Sequence, residues 1–178
     1  MNILITTLIS IIFCLLPTTE LILKFKKAKS KKTFLKENIF SILAILVIFL
    51  GCFARLIYID IYPVGLNQDE ASSAYDAWSI MNYGIGRNGE SYPVHFIAWG
   101  SGQNALYAYL MIPFIHIFGL TNLAIRLPMA LVGCISLLVF YYFLRSAFDD
   151  KKALIFTLIF AIFPWHLMKS RWGLESNL

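Results

Sequence analysis

Long, uninterrupted apolar stretches dominate the pattern of hydrophobic and polar positions along the chain. They show neither the alternation of a half-buried strand nor a heptad repeat, and lengths near 20 residues are what a helix needs to cross a bilayer. The apolar runs cover residues 3–23, 39–59, 105–120, 127–144 and 153–168. We therefore predict an all-α integral membrane protein with four or five transmembrane helices. The number of transmembrane helices stays open because the runs at 105–120 and 153–168 are short for a full crossing.

The composition strengthens this prediction. Hydrophobic residues make up 59% of the chain and charged residues only 14%, with a mean hydropathy of +0.72, whereas soluble domains carry roughly 25% charged residues. The net charge of +5 comes largely from one basic stretch between the first two apolar runs, which contains Lys24, Lys26, Lys27, Lys29, Lys31, Lys32 and Lys36. Such a stretch is typical of a cytoplasmic loop and also suits contact with anionic lipid headgroups. It lacks the interleaved aromatics of a nucleic-acid platform, so we exclude a nucleic-acid partner.

The lysines also predict the orientation and the organisation of the chain. Residues 1–59 form two helices around the cytoplasmic lysine loop; a signal peptide is the alternative for the first, but it lacks a basic start and a small-x-small cleavage site. Residues 60–104 then form a long extracytoplasmic loop, and residues 105–178 supply the further membrane helices. Residues 70–81 have helical character and suit an interfacial helix. We interpret residues 1–178 as a single membrane domain, the N-terminal part of a longer protein.

The adjacent acids Asp69 and Glu70 are the most informative polar residues of this loop. The simplest interpretation is that Asp69 caps a helix and Glu70 lies in its first turn. The functional alternative is that one carboxylate acts as a general base toward an attacking hydroxyl, while the other orients substrate or holds a metal ion. Adjacent side chains diverge on a helix, so the two acids should have separate roles.

Other candidates each have an ordinary structural alternative. His95 is a candidate substrate ligand or a simple loop histidine, and Trp99 and Gln103 suit either sugar stacking and hydrogen bonding or the start of an interfacial helix. Arg171 and Glu175 are four residues apart, which favours an intrahelical ion pair, although Arg171 is also a candidate for a donor phosphate. The glycines of residues 84–89 match GxGxxG only formally, since no strand–helix context surrounds them, and they favour turns.

Four segments in a fixed order resemble a known superfamily. They are GLNQDE at residues 65–70, FGLTNLAIRLP at 118–128, FPWH at 163–166 and SRWGLE at 170–175. Together they resemble the N-terminal part of GT-C superfamily membrane glycosyltransferases, namely protein O-mannosyltransferases and bacterial aminoarabinose transferases. The resemblance covers about residues 58–178.

The resemblance implies a hexosyl or pentosyl transferase that moves a sugar from a polyprenyl-phosphate donor to an extracytoplasmic hydroxyl of a protein, lipid or envelope glycan. It implies Asp69 as the general base and Glu70 as a second acid that in some relatives helps to bind a divalent metal ion. From their residue types and positions, the residues expected to bind substrate are Glu70, His95, Trp99, Gln103, Arg171 and Glu175. The bacterial plasma membrane is the expected location. A non-catalytic membrane subunit that binds or transports a lipid-linked substrate is the alternative.

Overall fold

The computed structural model describes residues 1–28, 30–98 and 100–178. Its helices are α1 (Ile3–Lys26), α2 (Lys31–Leu56), α3 (Gln68–Tyr83), α4 (Leu106–Phe118), α5 (Asn122–Ala147), α6 (Asp150–Ile162) and α7 (Pro164–Lys169). Strands β1 (His95–Ala98) and β2 (Ser101–Asn104) form an antiparallel hairpin, and a 3₁₀ turn covers Glu175–Asn177. The predicted all-α membrane class is confirmed. Helices α1, α2 and α5 are long and apolar enough to span a bilayer, and α4 is a shorter apolar helix.

Two compact units divide the chain. The helical unit contains residues 2–57 and 133–167, and the loop unit contains Met1 with residues 58–132 and 168–178. Helix α5 contributes its first half to the loop unit and its second half to the helical unit. Each unit has its own polar contacts.

The turn between α5 and α6 lies at the lysine-bearing end of the helical unit. Arg145 of α5 forms ion pairs with Glu20 of α1 at 2.9 Å and with Asp150 of α6 at 3.4 Å. Ser41 of α2 donates a hydrogen bond to Asp150 at 3.0 Å. The charges of this turn left its position open in the sequence, and these contacts bring it to the end of the helical unit that carries the lysines.

The apolar run at residues 153–168 is two helices. Helix α6 ends at Ile162, and Phe163 adopts φ −59° and ψ 115° before α7 starts at Pro164. Proline disfavours helical backbone at the residue before it and has no N–H to donate, which explains the break. Beyond it, His166 accepts a hydrogen bond at Nδ1 from Arg55 at 2.7 Å. Arg55 is fully buried and also donates to the Gly51 carbonyl at 2.8 Å, so this arginine does not reach solvent.

The loop unit is built on α3, which confirms the helix predicted at residues 70–81 and extends it by a few residues at each end. Its core is a cluster of buried residues from α3, α4 and the start of α5, among them Ala77, Ile80, Tyr107 and Met111. The buried positions of α3 recur at helical spacing, so one face of the helix packs inward. Gly84 ends α3 with φ 70°, a left-handed conformation that glycine adopts without strain.

Candidate active site

Asn67, not Asp69, is the N-cap of α3. The Asn67 side chain accepts a hydrogen bond from the Asp69 N–H at 3.2 Å, and Glu70 Oε2 accepts one from the Asn67 N–H at 3.0 Å. This reciprocal pairing is a capping box, which satisfies N–H groups that the first helical turn leaves without partners. The interpretation of Asp69 as the cap is therefore wrong, and both acids lie in the first turn of α3.

Glu70 is the centre of a buried ion pair. Its side chain is 1% exposed and that of Arg126 is 0% exposed. Arg126 donates from Nε to Glu70 Oε1 at 3.0 Å and from Nη2 to Oε2 at 3.2 Å. The Gly173 N–H donates to Oε1 at 2.8 Å. With the Asn67 N–H, the carboxylate accepts four hydrogen bonds, which matches the capacity of its two oxygens.

Arg126 also organises the chain that enters the site. Its Nη1 donates to the carbonyls of Ile59 at 3.3 Å and Pro63 at 2.6 Å, and its Nη2 donates to that of Gly65. One guanidinium therefore joins α5, the first turn of α3 and the segment at residues 59–65. The planar, multiply donating guanidinium suits this role, which the single ammonium of lysine could not fill.

Asp69 has a different environment from its neighbour. Its side chain is partly exposed, and within the described part of the chain its carboxylate has no hydrogen-bond partner. The divergence that the sequence predicts for adjacent acids is therefore present: Glu70 points into the buried network, and Asp69 keeps its carboxylate available at the N-terminal end of α3.

Gln103 lies in a second buried polar network. It is 8% exposed and donates from Nε2 to Ser73 Oγ at 3.0 Å and to Glu175 Oε2 at 3.1 Å. Its Oε1 accepts from Arg87 Nη2 at 3.0 Å. Arg87 in turn donates from its backbone N–H and from Nε to the fully buried Asp76 at 3.0 and 2.7 Å, with a further ion pair from Nη2. The network brings the predicted residues Gln103 and Glu175 into direct contact.

Arg171 and Glu175 do not share an α-helix. Helix α7 ends at Lys169, and Glu175 begins a separate 3₁₀ turn, so the interpretation as an ion pair within one helix is wrong. Arg171 Nη2 donates to the Tyr62 carbonyl at 3.0 Å, which places the arginine beside the segment that Arg126 holds. Burial, and then the nearby charge of Arg126, lower the pKa of Arg171.

The remaining candidates are dispersed. His95 is exposed on β1, where it pairs with Asn104 of β2, and Trp99 lies outside the described residues. Within those residues no group of three or more His, Cys, Asp or Glu side chains is arranged to hold a metal ion. Glu70, the predicted metal ligand, already accepts four N–H donors, so its present geometry does not fit a metal site.

The fold and this site define a helical membrane protein with a polar centre built on its long loop. Residues 103–175 match the family model described as dolichyl-phosphate-mannose-protein mannosyltransferase. The match covers less than half of the chain and supports a GT-C mannosyltransferase-like membrane protein. The matched family in general consists of membrane glycosyltransferases that use a lipid-linked sugar donor. Comparisons with curated proteins and with solved structures gave no significant match.

The matched range contains part of the two buried polar networks. It includes Gln103, Arg126, Gly173 and Glu175, whereas the acids at positions 69 and 70 precede it. Arg126 and Gly173 were not among the predicted site residues. A sequence signal for Arg126 did exist, since a cation at the start of an apolar run needs a partner. Gly173 had none, because its role depends on a backbone N–H brought beside Glu70 from 103 residues away.

Proposed function

We propose that the protein transfers a sugar from a polyprenyl-phosphate donor to an extracytoplasmic hydroxyl, with Asp69 as the general base. The observation that carries this proposal is the contrast between the two neighbouring acids. The carboxylate of Glu70 is buried and fully hydrogen-bonded, while that of Asp69 is partly exposed and has no partner among the described residues. An unengaged carboxylate fixed on a capped helix is suited to accept a proton.

The reaction requires one proton transfer and one exchange of bonds at the anomeric carbon. Asp69 takes the proton of the acceptor hydroxyl as the oxygen forms its bond to the anomeric carbon. The bond from that carbon to the phosphate oxygen breaks on the opposite face, which inverts the configuration and releases polyprenyl phosphate. Negative charge grows on the departing phosphate, so a nearby cation lowers the barrier.

Arg171 is our proposed cation for that phosphate. Its side chain is partly exposed, whereas Arg126 is wholly buried against Glu70. We assign His95 and Glu175, which are accessible in part or in full, to contacts with the substrate, and Trp99 remains a candidate from the sequence. Because Gln103 is buried with both ends of its amide bonded, we assign it to positioning Glu175.

The test is sugar transfer by the full-length protein in proteoliposomes. The probe is tritiated polyprenyl-phosphate mannose, with an envelope membrane fraction as the source of acceptors. Asp69→Asn should lower the transfer rate by about 10²–10⁴-fold, the usual contribution of a general base, while insertion into the membrane is unchanged. Glu90→Gln is the matched control, since it neutralises another partly exposed acid of the same loop. Transfer by Asp69→Asn at the rate of the unmodified protein would refute the assignment.

A non-catalytic subunit that handles lipid-linked substrate is the alternative function. It predicts retention of the labelled donor without release of polyprenyl phosphate, in the unmodified protein and in Asp69→Asn equally. Measuring donor retention and polyprenyl-phosphate release in the same samples separates the two functions. The position of the acids on the loop favours the enzyme, since transporters usually place such charges in midplane cavities.

A further inference from the structure

The hairpin of α1 and α2 carries a strong positive charge that the fold does not neutralise. Six described lysines lie on it, all of them exposed, at positions 24, 26, 27, 31, 32 and 36. Among the described residues, none of these lysines takes part in an ion pair. Glu37 is the acidic side chain beside them, and the nearby Glu20 is already paired with Arg145. The hairpin end therefore presents a cationic surface to its surroundings.

An open hollow lies on this surface between the two helices. It has a volume of about 330 Å³ and is lined by Lys24, Lys27 and Ala28 from the end of α1 and by Phe34, Glu37 and Asn38 from the start of α2. We call it the α1–α2 hollow.

The floor of the α1–α2 hollow is firmly packed. Phe34 and Asn38 are buried, and the Phe34 ring packs edge-on against Phe25 with centroids 5.0 Å apart. The Asn38 amide donates to the Phe34 carbonyl at 3.0 Å. The floor is therefore formed by packed side chains, while Lys24 and Lys27 at its edge are exposed.

The surroundings of the hollow determine which anion it suits. Both helices are apolar and long enough to span a bilayer, and Leu23 and Ile39, on the membrane side of the hollow, are 59% and 41% exposed. A ligand with a phosphate at the lysines and hydrocarbon chains along these exposed apolar side chains matches both features. Lysine-rich segments next to membrane helices attract anionic lipids by the same electrostatics.

We propose that the α1–α2 hollow binds the headgroup of an anionic phospholipid from the leaflet that borders the hairpin. Lys24 and Lys27 contact the phosphate, and the exposed apolar faces of α1 and α2 receive the acyl chains. Glu37 opposes the anion, so its neutralisation should strengthen binding. The site is separate from the proposed sugar-transfer reaction and does not depend on it.

The experiment measures the affinity of the full chain in detergent micelles for phosphatidylglycerol by native mass spectrometry, with phosphatidylcholine as the zwitterionic reference. Removing one of these lysines should weaken the affinity for phosphatidylglycerol about fivefold, because each lysine near the lipid surface contributes about 1 kcal/mol. The Lys24→Gln/Lys27→Gln variant should therefore bind phosphatidylglycerol roughly 25-fold more weakly, and Glu37→Gln should bind it more tightly. The matched control is Lys151→Gln/Lys152→Gln, which removes the same charge from the first turn of α6 at the same end of the helical unit. It should change the affinity by less than about twofold.

Three results would overturn the proposal. The first is equal affinity for phosphatidylglycerol and phosphatidylcholine. The second is an equal loss in the hairpin variant and in the control, which would mean a diffuse charge effect and no site. The third is displacement of phosphatidylglycerol by inorganic phosphate at the same concentration, which would mean a free-anion site without a role for the acyl chains. Retained unfolding temperature in each variant shows that a loss of binding is not a loss of fold.

Discussion

Replacing Glu70 by glutamine should loosen the loop unit. The substitution keeps the size of the side chain but removes its charge, and the amide can accept at only one of its two ends. Arg126, which is 0% exposed, would then be a buried cation without its carboxylate. Breaking a buried ion pair by removing one partner costs about 3–5 kcal/mol. The N–H groups of Asn67 and Gly173, bonded to Glu70 at 3.0 and 2.8 Å, would compete for one remaining oxygen.

Hydrogen–deuterium exchange of the full chain in detergent micelles measures this effect locally. A loss of about 3 kcal/mol in opening free energy accelerates exchange by roughly 100-fold where exchange follows opening of the loop unit. The acceleration should occur in peptides from α3 and from residues 170–178, which the carboxylate joins. Peptides from the α1–α2 hairpin, which belongs to the helical unit, should exchange as before.

Asp69→Asn is the matched control for this prediction, because it removes the same charge one residue away. Asp69 contributes only its favourable position at the helix N-terminus, worth about 0.3–1 kcal/mol. Equal exchange in the Glu70 and Asp69 variants would refute the reasoning. A double-mutant cycle with Arg126→Met adds a second check, since the combined variant should be less destabilised than the sum of the single variants by more than about 1 kcal/mol.

Two further predictions concern packing and geometry in the same unit. A Cβ on Gly173 would lie 2.7 Å from the backbone oxygen of Ile125. Gly173→Ala should therefore lower the free energy of unfolding by about 1–3 kcal/mol, measured by thermal unfolding. Gly102→Ala is the control and should not destabilise the protein, because the space around its Cβ is open. Arg87→Lys should cost about 1–3 kcal/mol, because an ammonium cannot reproduce the paired contacts to the buried Asp76. Equal unfolding temperatures for Arg87→Lys and the unmodified protein would contradict that estimate.

The local features of the fold could be predicted from the sequence because they depend on neighbouring residues. Apolar runs indicated the long helices, and residues 70–81 indicated α3. The apolar pattern placed the start of the second helix at residue 39, eight residues after α2 begins. The missing turns contain lysines and a glutamate, which form helices readily but interrupt an apolar run. A hydrophobic pattern therefore misses the end of a helix when its terminal turns consist of charged residues with high helical propensity.

Contacts between distant segments could not be predicted in this way. Glu70 and Arg126 are 56 positions apart, and Gln103 and Glu175 are 72 positions apart. Periodicity within a helix indicates which face is buried but not which side chain it meets. The individual candidates Glu70, Gln103 and Glu175 were identified from their residue types and from the resemblance, while the pairing that gives each its environment required the structure.

The different environments of the two adjacent acids have a local cause that was present in the sequence. Residues one apart on a helix point about 100° apart, so only one of two adjacent acids can enter a narrow buried face. The pattern from Asn67 to Glu70 is a polar cap followed three positions later by glutamate, the signature of a capping box. That signature draws Glu70 back toward the start of the helix, where Arg126 and Gly173 bind it. Asp69 is then left outside the pairing, which is the condition that a general base at this position requires.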